Sequence, residues 1–178
     1  MTTLGGIVLA GGNSKRMGTA KALLDWHGVP LVVHVARAVA AATNGPVVVV
    51  AAPGQVLPEG LEVVRDPVAD RGPLQGLVAG LAALTTERAF VCATDQPEAV
   101  AVLPALLAAR AADVVAFAGQ PLGALYRTGL AAVATQRLPH DASLRGLLEA
   151  VDTVTLDGAP AALRSLDTPG DYAAAVRS

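Results

Sequence analysis

Three glycines and three basic residues are crowded into residues 9–24, which read LAGGNSKRMGTAKALL. The glycines allow backbone angles that are closed to other residues, so successive N–H groups can turn inward around phosphate oxygens. The basic side chains add positive charge where the charge of a triphosphate would lie, and an arginine can bind two phosphate oxygens at once. These six residues are Gly11, Gly12, Gly18, Lys15, Arg16 and Lys21. The segment is therefore predicted to cradle a polyphosphate.

This glycine segment is neither of two common nucleotide-binding motifs. It lacks the GxxxxGK[ST] pattern of a P-loop and the GxGxxG pattern of a dinucleotide-binding fold. The alternative interpretation is a solvated glycine turn with incidental charges. Its position favours binding, because it follows an apolar run at residues 7–10, and ligands of open α/β sheets bind beyond the carboxyl ends of strands.

A carboxylate near the glycine segment is expected, because a nucleoside triphosphate is handled as its magnesium complex and magnesium prefers hard oxygen ligands. Asp95 is the best candidate, since it follows the apolar run at residues 89–93 and so belongs to the same edge of the sheet. The alternative for Asp95 is a helix cap or a turn before Pro97. Zinc is not expected, because the three histidines and the one cysteine form no ligand pattern.

Strands and helices alternate along the chain. Apolar or β-branched runs predict strands at residues 7–10, 46–51, 61–64, 89–92, 113–117 and 152–156. Several of these runs are apolar throughout, as in parallel strands covered on both faces. Apolar residues recur at spacings of three and four after Pro30, after Pro73 and from Leu103, which predicts helices. The pattern predicts a three-layer α/β/α sandwich with a mostly parallel sheet.

Length and composition narrow the class of protein. The 178 residues, 53% of them hydrophobic, predict a single domain spanning 1–178. A formal net charge of -2 lacks the basic excess of a nucleic-acid binder. No apolar stretch approaches the roughly 20 residues that cross a bilayer, so we expect a soluble protein with no membrane contact. The single cysteine, Cys92, excludes an intrachain disulfide and fits a reducing cytoplasm.

The glycine segment resembles the signature LAGGxSxRMGxDKxLL of nucleotidyltransferases that activate small molecules, in particular the molybdenum cofactor guanylyltransferases (MobA-like). Further matching motifs follow in the expected order: RGPLQGL at 71–77, TDQP at 94–97, PLGALY at 121–126, SLR at 143–145 and LDTP at 166–169. The resemblance implies a Rossmann-like fold of the nucleotide-diphospho-sugar transferase type. It implies transfer of GMP from GTP to molybdopterin with release of pyrophosphate, Mg2+ as the cofactor, and cofactor-handling proteins as candidate further partners.

The resemblance also implies roles for aspartates of this chain. Asp95 matches the metal-binding aspartate of the family's DxP motif, and Asp66 matches a nucleotide-site aspartate. Asp167 stands where related enzymes place Asp or Asn, so it could complete the metal site. Asp66 could instead form an ordinary turn, and either Asp167 or Thr168 could simply cap a helix that starts at Pro169.

The expected site is built from three overlapping sets of residues. The expected catalytic residues are Arg16, Lys21 and Asp95, and the expected metal ligands are Asp95 and Asp167. The expected nucleotide-binding residues are Leu9, Ala10, Gly11, Gly12, Ser14, Gly18, Lys21, Asp66, Gly76 and Asp95. Gly76 is included because residues 72–76 predict a helix amino terminus and a close backbone approach to the ligand. Arg127 and Arg145 lie in the later half, where the family builds its acceptor site, but solvated positions are the alternative.

The chain departs from the family pattern at three positions. Ala20 replaces the Asp that usually precedes the signature lysine, Gln96 stands where Met or Thr is frequent, and Val50 occupies a position where some members use Asn. The resemblance also implies GTP as the nucleotide, since LAGG is typical of the guanylyltransferases; the physical reason would be that the missing side chain at Gly11 leaves room for a purine. Two alternatives remain open: a cytidylyl- or sugar-phosphate nucleotidyltransferase of the same fold, and a non-catalytic nucleotide-binding regulator.

Overall fold

A mixed sheet forms the centre of the protein. The computed structural model describes residues 3–11, 21–68, 72–158 and 160–177. Within these ranges the strands are β1 (Leu4–Leu9), β2 (Asp25–Trp26), β3 (Val29–Pro30), β4 (Val47–Ala51), β5 (Val63–Arg65), β6 (Arg88–Ala93), β7 (Val114–Phe117), β8 (Gln120–Arg127) and β9 (Thr153–Leu156). Seven of them form one sheet in the order β5-β4-β1-β6-β8-β7-β9, and β2 pairs separately with β3. Only β8 runs antiparallel to its neighbours in the large sheet.

Helices cover both faces of this sheet. The described α-helices are α1 (Leu31–Thr43), α2 (Pro73–Ala83), α3 (Leu103–Ala108), α4 (Leu130–Arg137), α5 (Leu144–Ala150) and α6 (Pro169–Val176). The described residues also form short 3-10 turns at Lys21–Leu23, Ala99–Val102 and Ala161–Leu163. Among the described residues, no helix has the length and apolar character needed to cross a membrane.

The strands divide the core into two clusters because successive side chains of a strand point to opposite faces. In β1, Val8 packs in the cluster that includes residues of α1 and α3, whereas Ile7 and Leu9 pack in the cluster under α2, α4 and α5. In β6, Phe90 belongs to the first cluster and Val91 to the second. Burial on both faces confirms the predicted three-layer α/β sandwich with a mostly parallel sheet.

The strand β8 was not predicted. Its residues carry the PLGALY motif, and the alternating strand-and-helix pattern gave no reason to expect a hairpin between two strands. The chain reverses after β7 through Gly119, which has a left-handed φ of +71°, and returns along β6. Antiparallel pairing therefore carries Arg127 to the amino edge of the sheet, opposite Arg88 in the register. Arg127 lies at the opposite edge from Asp95, which follows β6.

Gly123 marks an irregularity in the β7–β8 pairing, where the register shifts between Val115 and Phe117. Its φ is +70°, and a Cβ atom built there would lie 2.1 Å from Cδ2 of Leu163. Leu163 is only 3% exposed and closes the 3-10 turn that precedes Asp167. The absence of a side chain at Gly123 therefore lets this later segment lie directly on β8.

Gly123→Ala is expected to destabilise the protein more than Gly119→Ala. Both glycines have nearly the same left-handed φ, but a Cβ at Gly119 would meet nothing within 4 Å. Both variants should lose about 1 kcal/mol from backbone strain, and Gly123→Ala should lose about 1–3 kcal/mol more from overpacking against Leu163. Urea unfolding measures the difference. Equal losses in the two variants would contradict the close packing of Leu163 on β8.

Candidate functional site

The carboxyl ends of β1, β4 and β6 meet at one edge of the sheet because these strands are parallel. The N–H groups of Ala10 and Gly11 both donate to the carbonyl oxygen of Val50, at 2.8 and 3.2 Å. The backbone N–H and the hydroxyl of Thr94 donate to the carbonyl oxygen of Leu9, at 3.0 and 3.2 Å. The start of the glycine segment is therefore fixed between its two neighbouring strands.

A glutamine that was not predicted from the sequence also holds the end of β1 in position. Gln55 donates from Nε2 to the carbonyl oxygen of Ala10 at 2.9 Å, and its Oε1 accepts from the N–H of Ala52 at 3.0 Å. Arg65 donates to the carbonyl oxygen of Gln55 at 2.6 Å. One side-chain amide thus joins the end of β1 to the loop after β4. Its position after a Pro-Gly turn carried no motif that would have marked it.

Lys21, Asp95 and Asp167 meet at the centre of this edge. Lys21 opens the first 3-10 turn, and its Nζ lies 2.9 Å from Oδ2 of Asp95 and 3.0 Å from Oδ1 of Asp167. The side chains of Lys21 and Asp95 are 19% and 21% exposed, whereas that of Asp167 is 64% exposed. The structure therefore brings together three of the residues predicted from the sequence, which lie up to 146 positions apart.

Electrostatics keep the ammonium group of Lys21 charged. Burial by itself lowers the pKa of Lys21. This effect is outweighed by the hydrogen bonds to Asp95 and Asp167 and by the charges of the two carboxylates, so the pKa lies above its ordinary value. Negative charges this close favour the charged form of a lysine. At neutral pH the cluster is one cation held between two acidic side chains.

Helix capping explains how Asp167 comes to face Lys21. Thr168, not Asp167, is the N-cap of α6: its hydroxyl accepts from the N–H of Asp171, whose carboxylate accepts from the N–H of Thr168. This reciprocal capping box satisfies two of the N–H groups that a helix start leaves unpaired. Asp167 therefore lies one residue outside the helix, with its carboxylate beside the ammonium group.

The donor set at Asp95 and Asp167 fits a divalent cation of the hard type. The ammonium group of Lys21 already occupies a position within 3.0 Å of one oxygen from each carboxylate. Within the described ranges no group of three His, Cys, Asp or Glu side chains could hold a metal. Two carboxylates with the remaining positions filled by phosphate and water is the arrangement that magnesium usually takes with nucleotides.

Asp66 and Gly76 lie near the same edge but are not part of the charged cluster. Asp66 follows β5, donates its N–H to the carbonyl oxygen of Ala51 at 2.9 Å, and accepts from the N–H of Val68 through Oδ1 at 3.0 Å. This turn holds Asp66 beside the end of β4. Gly76 is buried in α2, where an added Cβ would contact Leu9 and Val50 at 3.5 and 3.6 Å. These are ordinary van der Waals distances, so Gly76 lies in the packed layer between α2 and the ends of β1 and β4.

Four predicted site residues, Gly12, Ser14, Arg16 and Gly18, lie outside the described residues. The other predicted nucleotide-binding positions, including Leu9, Ala10 and Gly11, do lie at the carboxyl edge. An added Cβ at Gly11 would lie 3.3 Å from the backbone nitrogen of Ala52, so this glycine also lets β1 and the loop after β4 approach closely.

Known proteins resemble the chain over most of its length. Residues 6–156 match the model of the MobA-like NTP transferase domain. A relative from Mycobacterium avium, named "Probable molybdenum cofactor guanylyltransferase", is 38% identical over 84% of this chain and 82% of its own length. A relative of the same name from Mycobacterium tuberculosis is 41% identical over 72% of this chain and 70% of its own length.

Solved structures with the same architecture include two nucleotide-related proteins from archaea. The molybdopterin-guanine dinucleotide biosynthesis protein A from Archaeoglobus fulgidus is similar with a TM-score of 0.74 at 19% identity, covering 97% of each chain. A nucleotidyl transferase from Methanothermobacter is similar with a TM-score of 0.77 at 20% identity, covering 98% of this chain and 96% of its own. At these identities the likeness shows the fold alone.

Lys21→Met should destabilise the protein by about 1 kcal/mol between pH 7 and 9, because it removes a partly buried ion pair and leaves two carboxylates close together. The pKa of Lys21 is higher in the folded protein than in the unfolded chain, where it is near 10.5. The contribution of the charged lysine to the free energy of unfolding is therefore complete below pH 10.5, and it is lost as the pH rises through the folded pKa. The stability difference between the parent protein and Lys21→Met should therefore shrink above pH 10.5. Urea unfolding across this pH range measures it.

Arg110→Met is the control for this alkaline transition, because it removes the exposed pair with Asp152 and no lysine. Arg110→Met should change the free energy of unfolding only slightly, and this small change should stay the same on both sides of pH 10.5. If the effect of Lys21→Met is the same at pH 8 and pH 11.5, packing of the side chain and not its charge stabilises the cluster.

Proposed function

Because the chain belongs to the MobA-like NTP transferase family, we propose that it transfers GMP from GTP to a molybdopterin-type acceptor and releases pyrophosphate. The observation that carries this proposal is that the ammonium group of Lys21, within the glycine segment, is held between Asp95 and Asp167. Phosphoryl chemistry needs a fixed cation and hard oxygen ligands at one point. This cluster supplies both. The catalytic unit is proposed to be one domain covering residues 1–178.

The nucleotide is proposed to lie over the ends of β1, β4 and β5. Residues 9–11 would lie against the nucleotide. Because the N–H groups of Ala10 and Gly11 donate to Val50, the phosphate contacts are proposed to come from Gly12, Ser14 and Gly18. Asp66, at the end of β5, would contact the nucleoside part. Gly76 would lie behind the nucleotide, in α2 against Leu9 and Val50. Bracing by Gln55 and Thr94 supports this placement, because it fixes the backbone before a ligand arrives.

Asp95 and Asp167 are the proposed ligands of a divalent metal, which we take to be Mg2+. When bound, the metal would neutralise phosphate charge and favour departure of pyrophosphate. Lys21 currently occupies the space between the two carboxylates, so its ammonium group would turn toward the phosphates once GTP is present. A flexible lysine side chain with rotatable donors suits this exchange of anionic partners.

The reaction is proposed as a direct in-line displacement. An oxygen of the acceptor phosphate forms a bond to the α-phosphorus of GTP, and the bond from that phosphorus to the oxygen bridging to the β-phosphorus breaks. The electron pair leaves with pyrophosphate, and no covalent enzyme intermediate is needed. Arg16 and Lys21 would stabilise the charge that develops on the leaving group. Positioning and charge neutralisation carry the catalysis, as in other phosphoryl transfers.

Two features favour an active enzyme over a binding protein that has lost turnover. Lys21 and Asp95 remain paired at 2.9 Å, and the segment that carries Asp167 is fixed against them. A regulator would not require both carboxylates at the lysine. We further propose a cytoplasmic reaction, consistent with a single buried free cysteine, and handover of the acceptor by cofactor-handling proteins.

Asp95→Asn should lower kcat for guanylyl transfer by about 100- to 1,000-fold, because it removes one fixed charge at the proposed metal site. Pyrophosphate release from GTP in the presence of Mg2+ and molybdopterin measures the rate. Asp113→Asn is the matched control, because this aspartate lies at the amino edge near Arg127. It should keep parental activity. Near-parental turnover by Asp95→Asn at saturating Mg2+ would contradict the metal-ligand role.

GTP with Mg2+ should bind at least about tenfold more tightly than CTP, a difference of roughly 1.4 kcal/mol. A site built around hydrogen bonds to one base leaves polar groups unpaired with another base. Isothermal titration with each nucleotide measures the ratio. Equal affinities, or a preference for CTP that Gly11→Ala does not increase, would exclude the guanylyl assignment while leaving the nucleotidyltransferase fold intact.

A further inference from the structure

Gln96 lies between Asp95 and Pro97 and is buried, with only 3% of its surface exposed. Its side-chain Oε1 accepts from the N–H of Ala93 at 3.2 Å, and its Nε2 donates to the carbonyl oxygen of Leu163 at 3.0 Å. The two partners are backbone groups from distant parts of the chain. A buried amide that is satisfied at both ends makes a specific and rigid connection.

A second hydrogen bond runs beside this one. The N–H of Leu166 donates to the carbonyl oxygen of Asp95 at 2.9 Å. Residues 95 and 96 are thus joined to residues 163 and 166 by two bonds, and Asp167 is the next residue along the chain. Leu163 is itself fixed, since its side chain covers Gly123 of β8.

These contacts join the segments that carry both carboxylates of the charged cluster. Asp95 is attached to β6, but Asp167 lies in a connection between a 3-10 turn and α6, where no sheet pairing holds the backbone. Asp167 is also 64% exposed, so its own packing restrains it little. The position of Asp167 relative to Asp95 therefore depends on the connection through Gln96 and Leu166.

From this arrangement we propose that Gln96 is a positioning residue that sets the separation of the Asp95 and Asp167 carboxylates for metal binding. This inference rests on the proposed function, because it takes Asp95 and Asp167 to be the metal ligands of the guanylyl-transfer site. Methionine or threonine could not make both bonds of the amide at once, so the connection is a property of the glutamine in this chain. Groups that orient metal ligands commonly change metal affinity by 10- to 100-fold when they are removed.

The test measures Mn2+ binding by electron paramagnetic resonance of the free ion, with neither nucleotide nor acceptor present. Gln96→Met keeps the volume of the side chain but removes both hydrogen bonds, and it should weaken Mn2+ binding about tenfold. In an Asp167→Ala background the same change should weaken binding less than about twofold, because the ligand that Gln96 positions is already absent.

Gln55→Met is the matched control, since it removes a similar amide connection at the other end of the same edge. It should leave the Mn2+ affinity within about twofold of the parent protein. Circular dichroism establishes that each variant is folded at the temperature used. If Gln96→Met does not fold, Gln96→Asn serves instead, because it keeps the amide but is too short to reach both partners.

We expect Gln96→Met to weaken Mn2+ binding in the parent protein but much less in the Asp167→Ala variant, and we expect Gln55→Met to bind Mn2+ like the parent protein. The proposal is overturned if Gln96→Met binds Mn2+ like the parent protein, if it weakens binding equally with and without Asp167, or if Gln55→Met weakens it as much. GTP turnover is measured separately. If the protein does not transfer GMP, the Mn2+ measurement still tests the role of Gln96. If Gln96 has no such role, the turnover measurement still tests GMP transfer.

Discussion

One ammonium group between two carboxylates is the interaction on which the arrangement of the site depends. Lys21, Asp95 and Asp167 come from the start, the middle and the end of the chain, and none would be held near the others by local structure. Two acidic side chains repel each other in the absence of a cation. The lysine therefore keeps both in place in the free protein, and a divalent cation is the proposed replacement when nucleotide binds.

Charge alone does not give these side chains a defined geometry, because partly exposed ion pairs are weak and adaptable. The geometry comes from neutral hydrogen bonds around them. Gln96 joins the end of β6 to the segment before α6, which carry the two carboxylates, while Thr94 and Gln55 fix the neighbouring end of β1. Amides suit this purpose, since they satisfy buried backbone groups without adding charge beside a site that is proposed to exchange one cation for another.

The architecture was largely predictable, because apolar runs and helical spacing follow from burial on both faces of a parallel sheet. The strand β8 was missed, since a hairpin within an alternating pattern depends on a turn at Gly119 that carries no strong sequence signal. Missing it also hid the position of Arg127 at the amino edge. Local sequence patterns specify which segments form helices and strands, whereas the direction of a strand depends on the strands with which it pairs.

The site was predictable to the extent that chemistry requires particular residue types. Lys21 and Asp95 were expected at one site, and Asp167 either at that site or as a helix cap; the structure places all three together. Gln96 was noticed only as a departure from a family pattern, and Gln55 was not noticed at all. Each joins a backbone group three residues away to one that is far away in the sequence, so their roles depend on tertiary contacts. A substitution that departs from a family motif can therefore leave the reacting groups unchanged and alter what holds them.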